Sequence, residues 1–198
     1  MKTKLFAAAL LAAGIGMSGQ AAAKDSLTLG IGLEPPHLDP TAGAAAAIDE
    51  VVYQNVFEGL TRIGPDGAVL PGLAKEWDVS DDGLTYSLKL RDGVKFHDGT
   101  AFDSADVLFS INRAMAEDST NAQKGLFEPI ATVAAPDAAT VTIALKRPTG
   151  HFLFNLGWGD VVMVAPESAD TNKTKPVGTG SFTFDRWSKG SEIRLSRN

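Results

Sequence analysis

The sequence predicts an α+β fold, with helices and antiparallel strands mixed along the chain. Three observations carry this. Apolar residues alternate with period two on both sides of Asp82-Gly83 and again around Pro136-Asp137, as in half-buried hairpins. Two other stretches, 44–57 and 103–115, repeat their apolar residues at helical spacing. The elements do not alternate regularly as strand, helix, strand, so a doubly wound parallel sheet is not expected.

Taken in order, Leu27 to Ile31 reads as a short strand. Pro35, Pro36 and Pro40 then impose an extended loop over 33–40, because each proline biases its predecessor away from the helical region. Ala44 to Phe57 is expected to be a helix. Its buried face is Ile48, Val51, Val52, Asn55 and Val56, with Gly59 placed for a left-handed C-terminal cap. Gly64-Pro65-Asp66-Gly67 is a turn.

Trp77 and Val79 lead into the turn Ser80 to Gly83, and Leu84, Tyr86, Leu88 and Leu90 lead out. His97-Asp98-Gly99 turns the chain again. Asp103, with Asp106 three residues on, is written like a capping box for a helix whose stripe is Val107, Leu108, Ile111 and Met115. Ile130 and Val133 pair through Pro136-Asp137 with Val141, Ile143 and Leu145. A short helix is expected within Thr149 to Asn155, a buried strand at Val161 to Val164 and a polar linker at Asn172 to Pro176. A last hairpin runs from Phe182 and Phe184 through Lys189-Gly190 to Ile193 and Leu195.

The N-terminus reads as a targeting segment. Lys2 and Lys4 precede an apolar run from Leu5 to Met17, and Ala21-Ala22-Ala23 is a small-residue cleavage site. Cleavage is expected after Ala23, giving an exported, periplasmic protein without a stable membrane anchor. There is no cysteine, so stability must come from a buried core rather than disulfides, and no thiol is available for lipidation. Removing Lys2 and Lys4 leaves 16 basic residues against 24 acidic ones. That balance argues against nucleic acid as a partner, which requires a concentrated basic face.

Motifs for catalysis and cofactors are missing from the sequence. Gly30-Ile31-Gly32 begins like a dinucleotide turn, but Pro35 stands at the third glycine position and no helix follows. No phosphate-binding loop or nucleophile elbow is present. His37, His97 and His151 have no metal-ligand spacing, so no metal and no cofactor are expected. A secreted hydrolase would need a nucleophile and base in contact, and the histidine spacing gives no such pair.

Four blocks carry a resemblance. They are Glu34-Pro35-Pro36-His37-Leu38-Asp39-Pro40, the stretch from Asn55 to Phe102, the helix entry AFDSADVLFSINRAM after His97-Asp98-Gly99, and Pro176 to Phe182. In this order they resemble the family 5 bacterial extracellular solute-binding proteins, the peptide- and nickel-binding receptors of ABC importers. Ser181 stands where that family usually has proline.

The resemblance implies a periplasmic-binding-protein type II-like fold, here truncated to part of lobe I plus an extra domain, with the opposing lobe missing. The implied division is 1–23 signal peptide, 24–43 first segment of lobe I, 44–170 extra α+β domain and 171–198 incomplete return segment. The implied function is capture of short peptides and delivery to a permease by transient docking, with no enzymatic step, by a protein that is a monomer when full length. Nickel chelates, opines, glutathione, haem or oligosaccharides are alternative cargoes, and an inactive remnant is a further alternative. A single lobe is not expected to bind tightly.

The resemblance also nominates ligand-binding residues. Glu34 would meet the α-amino group of a peptide through a charge-assisted bond. Pro35, Pro36 and His37 would shape the wall of the cleft. Trp158, between Gly157 and Gly159, could stack on a ligand, or could be a core residue at a strand entry. Asp39 is expected to hold its own loop, and His97 to be structural.

Overall fold

A computed structural model describes residues 25–198, so the expected signal peptide lies outside the described residues. The chain divides after Gly30 into two units. The described residues of the first, 25–30, contain no helix or strand, and Leu27 and Leu29 are 82% and 74% exposed. The strand expected at Leu27–Ile31 is therefore not formed. Period-two patterning does not suffice, because a strand also needs a partner for its backbone donors and acceptors.

The second unit, 31–198, is built around a four-stranded antiparallel sheet. Its strands are β3 (Ala74–Val79), β4 (Thr85–Leu90), β5 (Ile130–Asp137) and β6 (Thr140–Leu145), in the order β3-β4-β6-β5. Both hairpins form where the alternation placed them. Ser80 N–H donates to Thr85 O, and Asp82 Oδ1 accepts from Leu84 N–H, closing the first turn. One face of the sheet presents Tyr86, Leu88, Leu90, Val141, Ile143 and Leu145, all buried.

Helix α2 (Ser104–Met115) covers that face with Val107, Ile111 and Ala114. Its capping box is complete: Ala105 N–H donates to Asp103 Oδ1, and Asp103 N–H donates to Asp106 Oδ2. Burial nevertheless pushes the Asp106 carboxyl up to about 6, outweighing the bond from Asp103.

A second hydrophobic cluster lies beside this core. Leu38, Ile48, Val52, Val56, Phe57, Val162 and Val164 are buried there, with Phe184, Trp187, Ile193 and Leu195 packed against them. The last four come from the hairpin β7 (Phe182–Ser188) and β8 (Glu192–Arg197). A two-stranded ribbon, β1 (Thr61–Ile63) with β2 (Val69–Pro71), closes around the turn read at Gly64–Gly67.

Two expectations need correction here. Helix α1 runs only from Ala46 to Val52, not to Phe57, and Gly59 is not its cap. The chain reverses immediately after it: Val56 and Phe57 N–H both donate to Val52 O, and Gln54 takes φ 58°. The carbonyls of Asn55 and Val56 are claimed by Phe182 and Gly180 N–H from the far end of the chain. The Val51 carbonyl, which a continuing helix would bond to the Asn55 amide, accepts instead from the Asn55 side-chain amide at 2.9 Å, and the tertiary bonds hold the reversed chain in place.

Val161 to Val164 is buried as expected but is not a strand. Val162 makes a single bridge to Gly59, and Val164 N–H bonds the Ser110 hydroxyl at 2.9 Å. A side chain replaces the ladder. The polar 172–176 segment leaves residues 173–175 exposed and is anchored at its start by Asn172, which is fully buried and whose Oδ1 accepts from Val177 N–H. The short helix α3 (Phe152–Asn155) falls inside its expected range.

Candidate functional site

Glu34 lies in the extended proline loop, and the loop is held at its far end by Asp39. Asp39 is fully buried. Its Oδ1 accepts from Thr41 N–H at 2.9 Å and from the Thr41 hydroxyl, and its Oδ2 accepts from Arg113 of α2 at 3.1 Å. The loop is thereby tied to α2 through a charge-assisted bond. His37 packs over Gly43, and burial lowers its pKa despite the opposing pull of Asp39. Pro35 is buried and Pro36 exposed.

Glu34 itself is exposed, but one of its oxygens is committed. Oε1 accepts from Trp187 Nε1 at 2.9 Å and from Gly190 N–H at 2.7 Å. The carboxylate staples the proline loop onto the turn of the β7–β8 hairpin. The structure thus gives Glu34 a partner within the chain that the sequence did not suggest.

Trp158 occupies a different place. The loop 157–159 is drawn tightly against its neighbours, and Tyr53 Oη donates to Gly157 O. A Cβ on Gly159 would lie 2.4 Å from Asp49 Oδ2, so the Asp49 carboxylate rests directly on the residue after Trp158. A side chain at 159 would push the Asp49 carboxylate aside. The loop holds Trp158 41% exposed, with its ring 6.1 Å from Phe154. Trp158 lines a cavity of about 270 Å³ with Asp49, Tyr53, Gln54 and Ile63.

Glu34 and the rest of its loop do not line this cavity. The expected residues therefore form two clusters, one at the β7–β8 turn and one beside α1. Sequence reasoning overlooked Asp49 and Asp160. Burial pushes the Asp49 carboxyl up to about 6. Burial, with added repulsion from Asp49, pushes Asp160 up to about 7. Burial also raises the Tyr53 hydroxyl. One signal was available: Asp49 and Tyr53 stand four apart, each next in sequence to a buried residue, Ile48 and Val52.

Among the described residues, no group of three or more His, Cys, Asp or Glu is disposed to hold a metal ion. No helix among them is long and apolar enough to cross a membrane.

Comparison with known proteins adds three findings. Residues 68–198 match the family described as bacterial extracellular solute-binding proteins, family 5 Middle. The glutathione-binding protein GsiB of Pectobacterium atrosepticum is 36% identical over 181 residues, which is 89% of this chain and 35% of that protein. Among solved structures, the binding protein AgaA of A. tumefaciens R10, in complex with agropinic acid, superposes with a TM-score of 0.77 at 31% identity. That match covers 83% of this chain and 34% of AgaA. The periplasmic binding protein DppA of Helicobacter pylori, in complex with the peptide STSA, gives 0.74 at 29% identity, covering 82% and 37%. The chain thus spans about a third of the length of the relatives it matches.

Proposed function

Since this chain belongs to the family 5 bacterial extracellular solute-binding proteins, we propose that it is part of the receptor of an ABC importer, capturing short peptides in the periplasm and delivering them to a permease. Exposed Trp158, held over a cavity by two glycines and the Tyr53 hydroxyl, carries this reading at the level of the site. An aromatic ring fixed in that way presents a stacking face at little conformational cost. Pro35, Pro36 and His37 belong to a separate cluster, the proline loop that Glu34 anchors to the β7–β8 turn.

In this reading 24–43 and 171–198 belong to one lobe and 44–170 is the added domain; the second hydrophobic cluster draws on all three segments, joining Leu38 to Ile48, Val52 and Val162 and to Phe184 and Trp187.

Glutathione is the second cargo to weigh, because a relative 36% identical binds it. It is itself a small peptide. A thermal-shift series with tri- and tetrapeptides, glutathione, an opine and a nickel–histidine chelate tests both readings. A ligand at 100 times its Kd should stabilise by about 2.7 kcal/mol. A shift with peptides supports the proposal, a shift with glutathione alone moves the cargo, and a shift with only the opine or the chelate overturns the peptide reading.

A further inference from the structure

We propose that the cavity between α1 and the 157–159 loop receives a positively charged group of the ligand, an ammonium or guanidinium, against the Trp158 ring and the Asp49 carboxylate. This rests on the solute-binding reading above and specifies what that site selects.

Most carboxylates drawn into the structure have a donor: Glu34 has Trp187 and Gly190, Asp39 has Thr41 and Arg113, Asp106 has the Asp103 amide, and Glu58 has the Thr179 hydroxyl. Asp49 and Asp160 differ. Asp160 is only 7% exposed and does not line the cavity, whereas Asp49 is half-buried and does, and among the described residues no hydrogen bond or ion pair reaches either carboxyl. Removing a carboxylate from water without compensation is costly. No lysine, arginine or histidine lines the cavity to supply the missing charge.

The second observation is the ring. Trp158 is exposed while its neighbours Gly157 and Gly159 are pinned, and the Asp49 oxygens lie at the α-carbon of Gly159. A cation in this cavity therefore meets a π face and a carboxylate from adjoining positions. Both contacts favour a cation over a neutral group of the same size. Tyr53 and Ile63 supply apolar wall for the stem that carries it. A carboxylate-bearing or wholly apolar ligand group would leave Asp49 uncompensated. Two carboxyls without a third ligand do not make a metal site.

The cation could be a peptide α-ammonium or a basic side chain, and four peptides separate them. They are Ala-Leu-Ala amide, Ala-Lys-Ala amide and the N-acetylated form of each, titrated calorimetrically into the whole purified protein. N-acetyl-Ala-Leu-Ala amide carries no cation and should bind at least tenfold more weakly than the best of the other three. An advantage confined to the free-amine peptides assigns the α-ammonium. One confined to the lysine peptides assigns the side chain. Asp49→Asn should narrow the charged-to-neutral ratio to less than threefold, with Lys75→Ala as a control that leaves the ratio alone.

The wild-type comparison stands even if Asp49→Asn fails to fold. Equal affinity for all four peptides overturns this inference and leaves peptide capture intact. Failure of all four, with binding of an opine or chelate instead, overturns the peptide reading and this inference with it.

Discussion

The indole nitrogen of Trp187 donates to Glu34 Oε1 at 2.9 Å, across 153 positions of sequence. The same oxygen accepts from Gly190 N–H, so a single carboxylate oxygen joins the proline loop to the last hairpin. The carboxylate that the motif nominated for a ligand is therefore partly spent on the fold, while Asp49, which no motif nominated, lies at the cavity without a partner.

This staple can be tested directly. Glu34→Ala should destabilise the protein by about 1 kcal/mol, since an exposed charge-assisted bond is only moderately strong. Amide exchange should quicken at Gly190 in particular. Unchanged exchange at Gly190 would show that Glu34 does not hold the hairpin.

Arg113→Ala should be more damaging. It leaves Asp39 fully buried with the Thr41 bonds alone. Because the arginine is itself partly exposed, the expected loss is about 2–3 kcal/mol, below the full range for a broken buried pair. Lys75→Ala removes the solvent-exposed pair to Asp92 and should leave stability nearly unchanged. Urea melts of the two variants give the ordering, and equal losses would refute it.

Gly178 is where the far end of the chain docks onto the reversal after α1. A Cβ there would lie 2.0 Å from Val56 O and 2.9 Å from the Phe57 ring. Gly178→Ala should cost at least about 2 kcal/mol, because the obstacle is backbone and cannot turn aside. Gly125→Ala meets nothing within 4 Å and serves as the comparison. A Gly178→Ala protein melting with the wild type would contradict the close approach.

Asp160 makes stability depend on pH in a definite direction. Its carboxyl ionises at about 7 in the folded protein, held up by burial and by Asp49, against 3.8 ordinarily. The unfolded chain therefore releases this proton first, and the contribution to stability falls as pH rises from about 4 to about 7, then levels off. Asp160→Asn removes that loss. It should stabilise by about 1–2 kcal/mol near pH 8, after allowance for solvent screening, and change little near pH 4.

Asp49 shares the trend over a slightly lower range, ending at about 6. Asp98, whose pKa is lowered chiefly by the Thr100 hydroxyl, works in the opposite direction below the ordinary carboxylate range. The difference between variant and wild type is therefore the quantity to measure. An equal gain at both pH values would show that charge is not the cause.

The local elements were legible from sequence. Alternation around Asp82-Gly83 and Pro136-Asp137 specified the two hairpins of the sheet, Asp103 and Asp106 specified the start of α2, and the ordered motif blocks specified the family. Each of these depends on residues a few positions apart, where turn chemistry and side-chain period act directly. The features that pattern missed involve residues far apart in the chain. Helix α1 stops at Val52, where the chain reverses and Gly180 and Phe182 dock onto the carbonyls that follow. Val164 gives its amide to Ser110 instead of a strand. Leu27 alternates like a strand and forms none, because backbone pairing requires a neighbour that pattern cannot provide. The partners of Glu34 and the isolation of Asp49 follow the same rule. Whether a carboxylate is satisfied depends on which donors the fold brings within 3 Å or so of it, and sequence spacing carries no record of that distance.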